Sequence, residues 1–434
     1  MLRVHPRSVA SRLPMPAGAL ALPVVVTGAA TVIGVVLNFA FNLLAARSLG
    51  PADYGLLAAL VGLAGVIGTA FGSLQVVTAR EVAVLAPTTT RRTVDPWTVQ
   101  ALAIGGAVAV LMALAGPVLA TLLRTDLPLV LVLALGCPPA ALLAVMVGRL
   151  IGQTRIITWQ VVGLLATVVK VLLGLVAVGL GLGVLPFALA LPVGGLLIGL
   201  LAAGLTRGVR VPRQRLAGWP VWGSTLVVLF LWSATQADVI LARVRLSETE
   251  AGLYAAAAII GKAIPMVAGL LGTALLPLLA RRLRAGRSSA HLTAVVAGGA
   301  GLFGVGCALA VSVIGPLLMT TFYGETFTGA GPLLIGLAWA AVPWCVAVAV
   351  INLKLAGHHF VWLAVTLGGV LVAEVLVLAL TARTAGHLLL GTAAFGVAAA
   401  VCAITAPVSS GNGTPPMTIG PSVDPATLRR HNLD

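Results

Sequence analysis

Twelve stretches of this chain are apolar over roughly the 20 residues that a helix needs to cross a bilayer. They lie near 24–46, 53–79, 98–123, 127–148, 157–179, 183–205, 221–242, 251–278, 292–320, 330–353, 360–381 and 387–407. The narrowest division falls between the fifth and sixth, where little more than Gly-Leu-Gly-Val separates two runs. Of the 434 residues, 60% are hydrophobic and 9% charged, against roughly 25% charged in a soluble chain. This is the pattern of an all-α, polytopic membrane protein with about twelve transmembrane helices.

Charge sets the orientation. The N-terminus and every second connection hold nineteen Lys and Arg residues: Arg3, Arg7, Arg12; Arg80, Arg91, Arg92; Arg149, Arg155; Arg207, Arg210, Arg213, Arg215; Arg281, Arg282, Arg284, Arg287; Lys354; Arg429, Arg430. The other connections hold five: Arg47, Arg124, Arg243, Arg245 and Arg383. Cytoplasmic loops carry the excess of cations, so both termini are expected in the cytoplasm and the number of spans is even. The same bias accounts for the net charge of +15 without a nucleic-acid partner. Segment 1–23 is basic, and the run behind it is longer than a cleaved signal's apolar core of about 7–15 residues; it reads as a cytoplasmic lead into an uncleaved first helix. The stretch 408–434 is rich in Pro, Gly, Ser and Thr and reads as a disordered cytoplasmic tail. Cys137, Cys307, Cys345 and Cys402 fall inside apolar runs with no metal-ligand spacing and read as small apolar residues. No cofactor or metal is expected. His residues confined to termini and loops, and the absence of a phosphate-cradling loop, speak against an enzyme and against ATP-driven transport by this chain alone.

The chain is duplicated. Asn42–Leu60 reads NLLAARSLGPADYGLLAAL and Asp238–Ala256 reads DVILARVRLSETEAGLYAA. Ala46-Arg47 aligns with Ala242-Arg243, and Gly55-Leu56 with Gly252-Leu253. Farther on, Ala79-Arg80 has its counterpart in Ala280-Arg281. A second echo joins Arg149-Leu150-Ile151-Gly152-Gln153 to Lys354-Leu355-Ala356-Gly357-His358. Matching signatures at the 1–2 and 4–5 connections give two halves of six helices, 24–205 and 221–407, joined by a basic linker at 206–220. Six is even, so the halves have parallel topology about an axis along the membrane normal.

The residues Ala46-Arg47-Ser48-Leu49-Gly50-Pro51-Ala52-Asp53-Tyr54-Gly55, followed by Phe71-Gly72 and Arg80-Glu81, resemble the pattern A-R-x-L-G-x-x-x-Y-G, then F-G, then R-E. That pattern is similar to the polysaccharide/oligosaccharide flippases, the Wzx-like branch of the multidrug/oligosaccharidyl-lipid/polysaccharide exporter superfamily. The resemblance is specific over residues 38–83 and architectural beyond. It implies a MATE-like transporter fold of two pseudo-symmetric bundles. It also implies a flippase that moves polyprenyl-diphosphate-linked oligosaccharide from the inner to the outer leaflet of the cell membrane. Glycan polymerase or glycosyltransferases are the protein partners implied. Asn38 and Asn42 stand where the multidrug branch tends to carry an acidic residue, which speaks against cation-coupled drug export. That antiporter reading and a non-transporting scaffold of a glycan-synthesis complex remain the alternatives.

Ionisable groups inside spans cost about 2.5–3.5 kcal/mol near the bilayer centre, so they are the candidates for transport. Lys170 lies deep in the fifth run and Lys262 half way down the eighth, close to Pro265. Each is either a cavity cation for an anionic head group or a structural partner. Asp238 in the seventh run either pairs with Lys262 or coordinates a coupling ion. Glu374, alone in the eleventh, is protonated, paired or part of a cation path. Asn38 and Asn42 share one face of the first helix, to bind substrate or to hydrogen-bond the seventh helix. Arg47, Arg80 and Arg243 sit at helix ends, where arginines snorkel; the resemblance implies that such cations face the substrate's diphosphate.

Overall fold

A computed structural model describes residues 17–84, 96–206, 219–284, 290–355 and 360–406. Every described element is helical. The basic linker, the tail, and the cations of 1–16 and 85–95 fall almost wholly outside the described residues.

The first two runs form one element, α1 (Ala17–Val84), interrupted at Gly50 with φ 73° and ψ 175°. The helix already runs at Ala17, ahead of the boundary at 24 that the apolar pattern gave. A straight helix of 68 residues would reach about 100 Å at 1.5 Å per residue, over three times the hydrocarbon thickness. The chain therefore turns back, and Gly50 takes the left-handed φ that the turn requires. Phe39 and Tyr54, on either side of it, both meet the ring of Tyr323, at 6.2 and 6.3 Å between centroids. Counted this way, the eleven membrane-length helical stretches of the described residues hold twelve spans.

The third and fourth spans are each two helices in series. The third is α2 (Pro96–Leu114) and α3 (Gly116–Leu123); the fourth is α4 (Leu127–Leu135) and α5 (Cys137–Gly152). Pro117, Pro138 and Pro139 lie at the breaks, where a missing N–H interrupts the ladder. The narrow division holds: α6 (Ile156–Leu180) and α7 (Val184–Leu205) are separated by Gly181 and Gly183, at φ 61° and 69°. The second half contains α8 (Trp219–Arg245), α9 (Glu248–Arg284), α10 (Ala290–Leu318), α11 (Ala330–Lys354), α12 (Phe360–Thr381) and α13 (Ala385–Thr405). Between α10 and α11 the chain winds through a π-helical turn, Met319–Tyr323, and a 3-10 turn, Glu325–Phe327.

One apolar core runs from Phe41, Tyr54, Leu57 and Phe187 of the first half into Tyr254, Tyr323 and Phe327 of the second. A separate core, with Phe71, Trp97, Met146, Leu150 and Ile198, belongs to the first half alone and lies toward the opposite ends of its helices. The halves thus join at the Gly50 end. Contact there is close. A Cβ on Gly55 would stand 2.7 Å from the Gly252 nitrogen, and one on Gly252 would overlap the Pro51 carbonyl. The two glycines that the repeat aligns are the two that meet.

Candidate transport site

In the first half, α6 brings Lys170 against the face of α1 that carries Asn38, Phe41 and Asn42. The Lys170 ammonium donates to Asn38 Oδ1 at 2.6 Å and lies 4.4 Å from the centroid of the Phe41 ring. Asn42 Nδ2 donates to the Asn38 carbonyl at 2.8 Å, within its own helix, and not to α8. Lys170 is half-buried. Its described partners are an amide oxygen and a π face, which attract a cation without neutralising it.

In the second half, Lys262 on α9 and Asp238 on α8 form an ion pair, Nζ to Oδ1 at 2.5 Å. Lys262 also donates to Gln236 Oε1 at 3.3 Å. The Tyr254 hydroxyl donates to Asp238 Oδ2 at 2.9 Å, and the Val239 N–H to Oδ1 at 2.7 Å. The Asp238 side chain is 1% exposed and that of Lys262 21%. The difference follows from a cavity of about 100 Å³ that Lys262 lines with Gln236, Trp232, Trp344, Asn352 and Thr392. Glu374 on α12 lies within electrostatic reach of Asp238 and Lys262. It is fully buried, and neither carboxylate oxygen has a hydrogen-bond partner among the described residues. Of the two readings open for Asp238, pairing with Lys262 is the arrangement observed.

The helix-end arginines are used differently from snorkelling. Arg47 donates to the Thr321 and Phe322 carbonyls of the π turn, at 2.8 and 2.6 Å. Arg243 donates to the Leu123, Ala52 and Arg124 carbonyls and pairs with Glu248 at 3.0 Å. The Arg80 side chain lies outside the described residues. Thus Lys170, Asn38 and Asn42 are brought together, as are Lys262, Asp238 and Glu374, whereas Arg47 and Arg243 stand apart at the Gly50 end.

Sequence reading missed how the two clusters correspond. The offset that pairs Ala46 with Ala242 also pairs Asn42 with Asp238. Lys170 and Glu374 lie on α6 and α12, the fifth span of each half. An amide in one half thus stands where the other has a carboxylate, and the equivalent helices α6 and α12 carry a cation and a carboxylate. The offset at the 1–2 connection was a sufficient signal for Asn42 and Asp238, whereas the one at the 4–5 connection aligns Lys170 with Val375.

No protein-family model and no curated sequence matches the chain. Solved structures do. The chain is similar to the lipid II flippase MurJ in an inward closed conformation, with TM-score 0.67 and 10% identity over 87% of this chain and 86% of that one. It is similar to an inward-facing multidrug resistance MATE family transporter of the MOP superfamily, with TM-score 0.61 and 14% identity over 86% and 93%. The chain has the MATE-like transporter fold. The eukaryotic MATE transporter AtDTX14 shares it as well, with TM-score 0.59 and 14% identity over 88% and 94%.

Proposed function

We propose that this multi-pass membrane protein is a flippase. It carries polyprenyl-diphosphate-linked oligosaccharide from the inner to the outer leaflet of the cell membrane by alternating access between its two six-helix halves, with both termini in the cytoplasm. One observation carries the reading. Lys170 sits inside a span with a neutral amide and a ring as its described partners. An ammonium so placed is costly unless an anion visits it. A diphosphate meets that need, whereas a cationic drug would be repelled. The fold shared with a structure described as a lipid II flippase supports the same direction.

In this reading Lys170, Asn38 and Asn42 receive the diphosphate in a wet cleft while the polyprenyl tail stays in lipid. Rocking of the halves then presents the cleft to the other leaflet. Lys262, paired with Asp238, is a second cation that an anion can draw from its carboxylate. Asp238 and Glu374 are the coupling groups. Arg47, Arg80 and Arg243 assist from the helix ends. Glycosyltransferases or a glycan polymerase supply and consume the cargo.

Reconstituted protein is expected to translocate a fluorescent lipid-linked oligosaccharide. Lys170→Ala should lower that rate at least tenfold with abundance unchanged, and Lys170→Arg should restore it in part, because charge matters more than shape for a diffuse contact. Transport of drugs with none of lipid-linked sugars would sink the proposal. That outcome would favour a cation-coupled antiporter, the second reading, which rests on the unpartnered buried carboxylate of Glu374.

A further inference from the structure

The Gly50 end of the molecule is closed by an exchange of arginines. Arg124, at the C-terminus of α3 in the first half, donates to the Val244 and Leu246 carbonyls at the end of α8, at 3.0 and 3.1 Å. Arg243, at the end of α8, returns the contact to the Leu123 and Arg124 carbonyls at the end of α3, at 3.0 and 3.3 Å, and reaches the Ala52 carbonyl at 3.3 Å. Arg47 crosses in the same sense, to the Thr321 and Phe322 carbonyls of the π turn. These three guanidinium groups make seven hydrogen bonds between the halves. Each acceptor set except Ala52 lies where a helix ends or widens, so its carbonyls lack intrahelical partners and attract a cation. Beneath the arginines, Phe39 and Tyr54 of the first half pack edge-on against Phe322, Tyr323 and Phe327 of the second, with centroids 5.7–6.3 Å apart.

We infer that Arg47, Arg124 and Arg243 form a latch that holds the halves shut at this end, and that its release is the step that precedes opening there. The inference rests on the alternating-access reading. Three features make the latch reversible. Its acceptors are carbonyls, which water satisfies once the halves part. Arg47 and Arg124 are exposed in the closed state, so their guanidinium groups need little rehydration. A polar funnel of about 800 Å³ opens over the contact, lined by Asp53, Asp126 and Glu248 together with Arg124 and Arg243; Glu248, already paired with Arg243, can keep it after release, and Asp53 and Asp126 can take up Arg124. The latch is therefore an exchange of partners and not a loss of them.

The test reads distance without any substrate. Nitroxides are placed at Leu182→Cys in the first half and Arg383→Cys in the second, with the four native cysteines replaced, and pulsed dipolar spectroscopy is run on the full chain in nanodiscs. The parent should show one short-distance population. Arg124→Gln with Arg243→Gln should raise the ratio of long to short distances at least tenfold, and Arg47→Gln alone should raise it less. An unchanged distribution from a variant with the parent's size-exclusion profile overturns the latch. If the double variant is lost from the membrane, Arg124→Gln alone decides by the same criterion, since its side chain is exposed and its removal strands no buried charge. A role confined to substrate binding would leave substrate-free distances unmoved. Conversely, a shift in distances without any flipping by the parent would refute the flippase reading and leave the latch standing.

Discussion

Removing either partner of the Lys262–Asp238 pair should destabilise the second half, and by unequal amounts. Lys262→Met strands a carboxylate that is 1% exposed and retains two donors, the Tyr254 hydroxyl and the Val239 N–H. Breaking a buried pair in this way costs about 3–5 kcal/mol. Asp238→Asn strands the ammonium instead. That group is 21% exposed, faces a cavity and keeps Gln236 Oε1 as acceptor at 3.3 Å; a lost hydrogen bond of this kind costs about 1–3 kcal/mol. In the double variant no charge is left unpaired, so the cycle should show a coupling of about 2 kcal/mol, within the range for residues in contact. Unfolding in mixed detergent micelles, followed by tryptophan fluorescence, measures all four corners. A coupling below about 0.5 kcal/mol, the additivity limit for independent sites, would refute the reasoning. So would an Asp238→Asn variant less stable than Lys262→Met, because the order follows from burial alone.

Gly252→Ala should impair packing at the Gly50 end, since its methyl would overlap the Pro51 carbonyl; a loss of about 1–3 kcal/mol is the usual result of overpacking, read by the same unfolding assay. Glu374→Gln keeps the side chain's volume and should leave abundance unchanged while removing the dependence of transport on an imposed proton or sodium gradient; retained dependence would clear Glu374 of a coupling role. A reporter active only outside the cytoplasm, fused after Pro407, should stay silent, and activity there would mean an odd number of spans.

Much of the fold was legible because hydrocarbon imposes a length on every span. Each of the twelve runs became a span, and the weak boundary at Gly181 and Gly183 proved real because two glycines with positive φ occupy it. The breaks at Ala115 and Gly136 were not read, although Pro117, Pro138 and Pro139 mark them; proline is tolerated inside transmembrane helices, so it does not by itself locate an end. The π turn at Met319–Tyr323 left no periodic trace. In the site, the pairing of Asp238 with Lys262 was among the readings drawn from depth in neighbouring spans. The partnership of Lys170 with Asn38 and Phe41 was not, because contacts between α1 and α6 depend on helix rotation, and a nearly uniform apolar pattern carries little information about rotation. The arginines at the ends were read as solvent-seeking. Their carbonyl acceptors belong to the other half, and backbone acceptors have no sequence signature.

Because Gly55 and Gly252 are equivalent positions that touch each other, the seam at the Gly50 end is nearly self-complementary: each half offers its partner a version of the surface it receives. A six-helix unit bearing that surface has the geometry to associate with an identical unit in the same orientation, as an isologous dimer. What distinguishes this chain from such a homodimer is chemical asymmetry. Asn42 and Lys170 lie on α1 and α6 of one half, Asp238 and Glu374 on the equivalent helices α8 and α12 of the other, and an assembly of two identical copies could not possess that difference.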